Sequence, residues 1–436
     1  MKVGVIGTGH VGLPTAATLA HIGHEVTAID ADHEKIEALV RGGVPFFEPG
    51  LEELVRKGRE AERLAFTSDP AQAMAGTRVA FLCVGTPPKA TGEANLTAIE
   101  RSAELVAGHA TGPVVVVEKS TVPAGTAERV AGILVRLRPT GDFAVVSNPE
   151  FLREGSAVED SLHPDRILVG GDSAQALAVM RELYAPLVEA GSEWIETDLR
   201  TAELAKHASN AFLALKISFA NALARLCEAA GADVEAVTEI MGADPRIGRA
   251  HLRAGMGYGG YCFPKDLQAF ERLADRLGYD FPILREVARI NEEAVEATYH
   301  KIEEALWNLE GKRIALLGLA FKAGTDDVRL APALALADGL LSAGAVVIGY
   351  DPQAGANAKA EVPGLEVATD LYEALEGAHC AVVCTEWQEI ADLDLGRARE
   401  AMALPIVVDG RNVFEPADMA AHGFTYLPTG RPPVQP

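Results

Sequence analysis

A glycine-rich segment near the N-terminus restricts the fold of this chain more than any other feature. Residues 7–12 read GTGHVG and match the pattern G-x-G-x-x-G. An apolar, strand-like run at 2–7 precedes the segment, and a helical pattern at 13–22 follows it. A strand, a glycine turn and a helix in this order form a pyrophosphate site, because the first N–H groups of the helix face the phosphates. The segment therefore predicts a dinucleotide-binding domain.

An aspartate at the end of the next predicted strand indicates which dinucleotide binds. Asp30 follows the run at 25–29. A carboxylate there accepts hydrogen bonds from the adenosine ribose and repels a 2′-phosphate, so NAD is favoured over NADP. Lys35 stands nearby and weakens this preference. The alternative is a structural glycine turn in a domain that binds no nucleotide.

The hydrophobic pattern predicts an α/β fold in three parts. Strand-like runs alternate with helical patterns over the first 195 residues, and the alternation resumes at 311. Between them a proline-free, Ala- and Leu-rich helix is predicted at 199–230, and another starts near 282. We expect two Rossmann-like doubly wound domains joined by a long central helix and a helical middle region. The predicted boundaries are 1–198 for the NAD domain, 199–310 for the central domain that carries the cysteine loop, and 311–436 for the C-terminal domain.

The two α/β parts resemble each other. Residues 23–30 (GHEVTAID) align with 344–351 (GAVVIGYD), and both end a strand on an aspartate. The C-terminal part therefore reads as a second Rossmann-like unit without the glycine fingerprint, although convergent patterning explains the match equally well. The last ten residues, 427–436, contain four prolines and predict a loose tail.

The composition disfavours several classes of partner. The net charge of −23 over 436 residues disfavours nucleic acid and anionic membranes. No targeting segment is visible and no apolar run is long enough to span a bilayer, so we expect a cytoplasmic protein.

Five cysteines without secretory context disfavour a disulfide framework. Cys380 and Cys384 flank an apolar run, so no metal site is expected there or elsewhere.

The most distinctive segment is GMGYGGYCFPKD at 255–266, which has four glycines in its first six residues. It predicts a loop in which a ligand approaches the backbone. Cys262 stands three residues before Lys265, and a nearby cation favours the reactive thiolate. An ordinary glycine-rich turn with a buried cysteine remains the alternative.

Two other segments carry polar groups suited to catalysis. Residues 147–155 (SNPEFLREG) follow a predicted strand, so Glu150 and Glu154 lie at the sheet edge that binds ligands. The alternative for these carboxylates is a solvated helix N-terminus. Lys206 and Asn210 are four residues apart on the central helix and share a face. Both can donate hydrogen bonds to an oxyanion, and a polar helix stripe is the alternative.

Taken together, the motifs resemble the UDP-glucose/GDP-mannose dehydrogenase family. The resemblance covers nearly the whole chain and includes VGTP at 84–87, STVP at 120–123, RIG at 246–248, FK at 321–322 and DVR at 327–329. His10 and Tyr261 depart from the family pattern, which often has tyrosine and serine there. The NAD contacts that the resemblance implies are Gly7, Gly9, His10, Val11, Gly12, Asp30, Lys35, Thr86, Thr121, Glu154, Lys265 and Arg329. The implied sugar-nucleotide contacts are Glu150, Phe151, Leu152, Lys206, Asn210, Arg253, Tyr258, Gly259, Phe263, Phe321 and Lys322, with Arg246 reaching across a homodimer interface.

The resemblance also implies a reaction, the four-electron oxidation of a primary alcohol to a carboxylate with two NAD. A water held by Thr121, Lys206 and Asp266 would act as the base. Cys262 would form a thiohemiacetal and then a thioester, Lys206 and Asn210 would stabilise the oxyanions, and Glu150 or Glu154 would activate the hydrolytic water.

CFPKD at 262–266 resembles the UDP-glucose branch of the family, which implies UDP-glucuronate as product and polysaccharide synthesis as its use. Three alternatives remain: GDP-mannose or another nucleotide sugar as substrate; a two-electron hydroxy-acid dehydrogenase with a structural Cys262; and a non-catalytic dinucleotide-binding regulator.

Overall fold

The computed structural model describes residues 1–435, which divide into two compact units. The first consists of Met1–Ser209 and Gln268–Tyr279, and the second of Asn210–Leu267 and the chain from Asp280 onward. Each unit contains one sheet, which is mostly parallel in the first unit and fully parallel in the second.

The first unit contains an eight-stranded sheet in the order β3-β2-β1-β4-β5-β6-β7-β8. Neighbouring strands are parallel except β6 and β7, which meet in antiparallel fashion. Helices cover both faces and bury two apolar clusters against the sheet. The strands are β1 (Lys2–Ile6), β2 (Glu25–Ile29), β3 (Leu64–Thr67), β4 (Val79–Leu82), β5 (Val114–Glu118), β6 (Phe143–Ser147), β7 (Arg166–Gly170) and β8 (Glu193–Thr197). The helices are α1 (Gly12–His21), α2 (His33–Arg41), α3 (Leu51–Glu60), α4 (Pro70–Met74), α5 (Thr97–His109), α6 (Thr126–Leu137), α7 (Ala157–Leu162), α8 (Ala174–Leu183) and α9 (Ala185–Glu189).

The second unit contains a six-stranded parallel sheet in the order β11-β10-β9-β12-β13-β14. This is the order of the first six strands of the other sheet, so the predicted second Rossmann-like fold is confirmed. The strands are β9 (Arg313–Leu317), β10 (Val346–Tyr350), β11 (Glu366–Val367), β12 (Cys380–Val383), β13 (Ile406–Asp409) and β14 (Thr425–Pro428). Its helices after residue 310 are α14 (Pro332–Ser342), α15 (Gly355–Glu361), α16 (Leu371–Leu375), α17 (Gln388–Ala391), α18 (Leu395–Ala401) and α19 (Pro416–Ala421).

The middle region is helical, as the sequence predicts. The long helix α10 (Leu199–Ala230) has the predicted bounds because its apolar and alanine periodicity is interrupted by neither proline nor glycine. It is followed by α11 (Val234–Gly242), α12 (Cys262–Arg276) and α13 (Pro282–Leu306). Within residues 1–435, no helix combines the length and the apolar character that crossing a membrane requires.

The C-terminal segment is packed, so the predicted loose tail is wrong as far as residue 435. β14 pairs with β13, and Val434 pairs with Tyr426. Arg431 Nε lies 3.2 Å from Asp233 Oδ2, and the Gly430 N–H donates to Glu228 Oε1. Pro436 lies outside the described residues.

Candidate active site

The glycine turn of the first unit leaves an opening at its centre. Gly7 has φ +98°, and a Cβ there would collide with the Cys83 carbonyl. A Cβ on Gly12 would collide with the Gly7 carbonyl, so the turn and α1 pack without room for a side chain. A Cβ on Gly9 would meet no atom within 4 Å. The backbone at Gly9 is therefore accessible to a ligand, as the pyrophosphate of a dinucleotide requires.

Asp30 lies at the end of β2 and faces this turn. Its Oδ2 accepts hydrogen bonds from the Thr8 N–H at 2.8 Å and the Thr8 hydroxyl at 2.9 Å. Lys35 Nζ lies 3.3 Å from the same oxygen. Burial raises the pKa of Asp30, but hydrogen bonds from Asp32 and Thr8 outweigh it, so the net shift is downward. The carboxylate is thus ionised, as acceptance of ribose hydroxyls requires.

The other predicted NAD residues of this unit lie around the turn and the ends of β4 and β5. The His10 ring packs on Phe46 with centroids 4.1 Å apart. The Thr86 hydroxyl donates to the Thr121 carbonyl at 2.9 Å. Helix α1 starts at Gly12 after Val11, with no acidic residue in its first turn, so its positive end is not neutralised by a carboxylate there.

Glu150 and Lys206 form a buried ion pair in the first unit. Lys206 Nζ lies 3.0 Å from Glu150 Oε1, and the side chains are 4% and 7% exposed. Glu150 Oε2 accepts the Leu152 N–H at 2.5 Å. The Phe151 ring lies 5.3 Å from Lys206 Nζ, and 3.8 Å from the Arg166 guanidinium. The structure therefore brings together two segments in which the sequence placed candidate catalytic groups.

Lys119 is a buried cation beside this pair that the sequence analysis did not single out. Its Nζ donates to Asn148 Oδ1 at 3.1 Å, and the Tyr184 hydroxyl donates to the same oxygen at 2.8 Å. Burial lowers the pKa of Lys119 to about 8, against the influence of nearby Glu150. Lys119 directly precedes STVP at 120–123. Its position at the end of a buried strand is the sequence feature that could have identified it as a candidate site residue.

Glu154 lies half-buried in the loop before α7. Glu48, which the sequence motifs did not indicate, holds that loop in place. The buried Glu48 carboxylate accepts the Gly155 N–H at 2.7 Å and the Ala157 N–H at 2.8 Å. Glu48 therefore caps the start of α7, because a carboxylate accepts hydrogen bonds from the free N–H groups at a helix N-terminus.

In the second unit, the predicted cysteine loop ends where α12 begins. Cys262 is the first residue of α12, where the positive end of the helix dipole favours a thiolate. Cys262 is half-buried, while Cys83, Cys227, Cys380 and Cys384 are buried. Cys262 is thus the most accessible of the five thiols.

Two asparagines and an arginine hold the loop in place. Asn221 Oδ1 accepts the Gly255 N–H at 2.8 Å, and Asn291 Oδ1 accepts the Tyr258 N–H at 2.7 Å. The Arg411 guanidinium donates to the Gly257 carbonyl at 3.2 Å. These three residues were also missed, because their partners are backbone atoms of remote segments.

Asp266 connects Asn210, a predicted catalytic group, with Lys265, a predicted NAD contact. Asn210 Nδ2 donates to Asp266 Oδ2 at 2.6 Å, and Lys265 Nζ donates to Oδ1 at 2.5 Å. Burial lowers the pKa of Lys265, but Asp266 more than reverses the effect, so the net shift is upward. Lys265 therefore stays cationic at neutral pH, one helical turn after Cys262.

The predicted sugar-nucleotide residues of the second unit fall into two groups. Tyr258 packs edge-on against Phe263 at 5.6 Å, and the Lys322 ammonium lies 6.0 Å from the Phe321 ring. A Cβ on Gly259 would collide with the Leu330 carbonyl. The other group is exposed and consists of Arg246, whose guanidinium is hydrogen-bonded to Asp244, and Arg253.

The second Rossmann-like fold has an aspartate that corresponds to Asp30, but its carboxylate is occupied. Asp351 Oδ2 accepts the N–H groups of Leu319 and Ala320 and the Trp387 indole N–H, at 2.7, 2.9 and 3.0 Å. Its Oδ1 accepts two further backbone N–H groups. A carboxylate has about four lone-pair sites, so Asp351 has no capacity left for a ribose.

Three models of one protein family match successive parts of the chain. Residues 1–188 match the NAD binding domain of the UDP-glucose/GDP-mannose dehydrogenase family, 200–293 match its central domain, and 315–416 match its UDP binding domain. The chain belongs to this family, which confirms the resemblance drawn from the motifs. It is an NAD-dependent oxidoreductase, and its substrate is a nucleotide sugar.

Individual relatives match over almost the full length. A UDP-glucose 6-dehydrogenase from Rhizobium meliloti is 44% identical, and the match covers 99% of this chain and 100% of that protein. The structure of a UDP-glucose dehydrogenase from Pyrobaculum islandicum has a TM-score of 0.92 at 37% identity, covering 99% and 98% of the two chains. That of a UDP-D-ManNAc dehydrogenase from Pyrococcus horikoshii has a TM-score of 0.87 at 29% identity, covering 99% of both.

Proposed function

We propose that this protein oxidises UDP-glucose to UDP-glucuronate, with two NAD per sugar and a covalent intermediate on Cys262. The observation that carries the proposal is the position of Cys262, a half-buried thiol at the start of α12 with the Lys265 cation one turn away. The UDP-glucose 6-dehydrogenase of Rhizobium meliloti, 44% identical to this chain, supports the choice of sugar.

The first oxidation needs a base and a group that stabilises the developing oxyanion. NAD, when bound, accepts a hydride from C6 of the sugar. We assign the base to a water that Thr121, Lys206 and Asp266 orient, and it takes the proton of the C6 hydroxyl. The product is an aldehyde, and the Cys262 thiolate adds to its carbonyl carbon to give a thiohemiacetal.

The second oxidation converts this adduct to a thioester. The thiohemiacetal carries hydrogen on an oxygen-bearing carbon, so this carbon can give a hydride to a second NAD as its hydroxyl loses a proton. Lys206 and Asn210 donate hydrogen bonds to the oxyanions, a role that suits a cation and an amide. Water activated by Glu150 or Glu154 then attacks the thioester, which releases the carboxylate and restores the thiol.

Substrate and cofactor contacts are proposed for the residues that the family resemblance implies. Asp30, Thr86, Lys265 and Arg329 bind NAD together with the glycine turn. The nucleotide sugar is bound by the aromatic and basic side chains of the second unit, among them Phe321 and Lys322. We assign these tasks to an NAD domain at 1–198, a central domain at 199–310 and a C-terminal domain at 311–436, and we place the enzyme in the cytoplasm, where its product feeds polysaccharide synthesis.

We also propose a homodimer built on α10. Phe212, Phe219 and Leu226 are 61%, 49% and 66% exposed. They are spaced at seven residues, so they form an apolar stripe along one side of the helix. Exposed apolar stripes of this kind support association with a second helix. In such a dimer, Arg246 of the partner subunit would complete the sugar-nucleotide site.

The decisive assay measures NADH released per sugar consumed, with UDP-glucose, GDP-mannose and UDP-N-acetylmannosamine compared side by side. We expect UDP-glucose to be preferred and to give two NADH. Cys262→Ala should lose carboxylate formation, whereas Cys227→Ala, a buried thiol on α10, should retain it. Full carboxylate formation by Cys262→Ala at the native rate would refute the covalent scheme. One NADH per substrate would indicate a two-electron dehydrogenase, and NAD binding without any turnover would indicate a regulator.

A further inference from the structure

Two cations of the second unit lie close to the Tyr261 ring. The Arg329 guanidinium is 4.7 Å from the ring centroid, and the Lys265 ammonium is 5.5 Å from it. Both distances lie within the range in which a cation is attracted to an aromatic ring. The Gly260 N–H also donates to the Arg329 carbonyl at 3.0 Å, so the segment that ends on the thiol contacts Arg329 through backbone and side chain.

Each of these cations already has a carboxylate partner. Lys265 Nζ lies 2.5 Å from Asp266 Oδ1, and the Arg329 guanidinium is held by both oxygens of Asp327. The ring of Tyr261 therefore links two ion pairs. The Lys265 side chain is only 11% exposed, whereas that of Arg329 is 40% exposed. Shielding from water strengthens the interaction of Lys265 with charges close to it.

The phenol itself is neutral in this setting. Burial raises the pKa of Tyr261, and the opposing influence of Lys265 and Arg329 does not reverse the shift. The attraction to the two cations therefore comes from the ring and not from a phenolate. A phenylalanine would supply the same ring, whereas a serine would not.

We propose that Tyr261 is a positioning residue that keeps the positive potential of Lys265 directed onto the Cys262 thiol. The ring excludes water from Lys265, which lies three residues after Cys262 in the first turn of α12 and interacts with it electrostatically. Water entering in place of the ring would raise the local dielectric constant and weaken that interaction, and the thiolate would lose part of its stabilisation. The role rests on the function proposed above for Cys262.

The test measures alkylation of Cys262 by iodoacetamide in the full-length protein, without NAD or sugar, and locates the label by mass spectrometry. Rates are recorded from pH 6 to 10, and the rate at neutral pH is divided by the alkaline plateau. The plateau reports the access of the reagent to the thiol, whereas the ratio reports stabilisation of the thiolate. The charged groups that face the ring, Lys265, Asp266 and Arg329, are the same in every variant.

Tyr261→Phe should match the native ratio within about twofold. Tyr261→Ser should lower the ratio by about 2- to 30-fold, the range expected for loss of cation–π contacts. The midpoint of its pH profile should rise. Tyr261→Leu keeps an apolar side chain without a π-face, and its ratio should lie between those of Tyr261→Phe and Tyr261→Ser. Thermal midpoints check that each variant is folded, and Cys262→Ala defines the background labelling.

A native ratio and midpoint in Tyr261→Ser would overturn the proposal, as would a change confined to the plateau, because only access would then have changed. A lower ratio in Tyr261→Phe would also overturn it, since the hydroxyl would be responsible. NADH release with UDP-glucose is assayed separately. If it fails while the alkylation ratios behave as expected, the proposed function is wrong and the role of Tyr261 in thiol reactivity stands.

Discussion

Lys206 Nζ lies 3.0 Å from Glu150 Oε1, and neither side chain is more than 7% exposed. Removal of only one partner leaves a buried charge uncompensated, at a cost of about 3–5 kcal/mol. We therefore expect Lys206→Met to lower the denaturant midpoint strongly. The double variant Glu150→Gln/Lys206→Met removes both charges and should be closer to the native protein. A double-variant loss equal to the sum of the losses in Lys206→Met and Glu150→Gln alone would show that the pair is not coupled.

The glycine turn provides a test that separates folding from cofactor binding. Gly9→Ala places a methyl group where no protein atom lies within 4 Å, so stability should be native. The methyl group occupies the approach of the pyrophosphate, and the Kd for NAD should rise at least about tenfold, which is ~1.4 kcal/mol. Gly12→Ala collides with the Gly7 carbonyl and should destabilise the fold instead. Calorimetric titration and thermal unfolding measure the two effects. Native NAD affinity in Gly9→Ala would contradict this account of the turn.

The choice between NAD and NADP should depend on Asp30. Hydrogen bonds to a charged group contribute about 1.5–3 kcal/mol, so Asp30→Ala should weaken NAD binding by roughly 10- to 100-fold. Lys35 Nζ, now 3.3 Å from the carboxylate, would become available to a 2′-phosphate, so the ratio of kcat/KM for NAD to that for NADP should fall. Asp32→Ala is the control, because Asp32 caps α2 through the Lys35 N–H. A ratio that falls equally in both variants would assign the preference to the fold of this segment and not to the Asp30 charge.

Glu203 should make the protein less stable as the pH rises. Burial raises its pKa from the ordinary 4.5 to about 7, although its carboxylate accepts the Gly125 and Ala127 N–H groups. The folded state therefore binds a proton more tightly than the unfolded state between pH 4.5 and 7. The stabilisation is full below pH 4.5, and it is lost as the pH rises through about 7.

Glu203→Gln should remove this contribution, which is on the order of 3 kcal/mol. The quantity to measure is the difference between native and variant unfolding free energies at pH 5 and pH 8. Glu104→Gln, an exposed change on α5, serves as the control. A difference that does not vary with pH would contradict the assignment.

The sequence predicted the elements whose patterns are strong and uninterrupted. α10 and β2 have the predicted bounds because a periodic or a continuous apolar run defines each of them. β8 was missed because it is a partly polar run, and β14 because proline ends it and prolines follow. The packing of the last residues depends on Asp233 and Glu228, which no local pattern connects with them.

The candidate site was predictable in its residue types but not in its pairings. Glu150 and Cys262 stood out because they lie in distinctive segments. The partnership of Glu150 with Lys206, and that of Asp266 with Asn210, joins remote parts of the chain and required the fold. Lys119 escaped notice because a lysine at a strand end is ordinary, and only its burial beside Asn148 makes it unusual.

The occupied carboxylate of Asp351 bears on the timing of the proposed reaction. Asp351 has no capacity left to bind a ribose, so we expect a chain that transfers two hydrides to use the dinucleotide pocket of the first unit twice. The spent NADH must depart and fresh NAD must enter while the half-oxidised sugar stays on the enzyme. The lifetime of the sulfur–carbon bond relative to cofactor exchange then decides whether the sugar leaves as a carboxylate or as a reactive aldehyde.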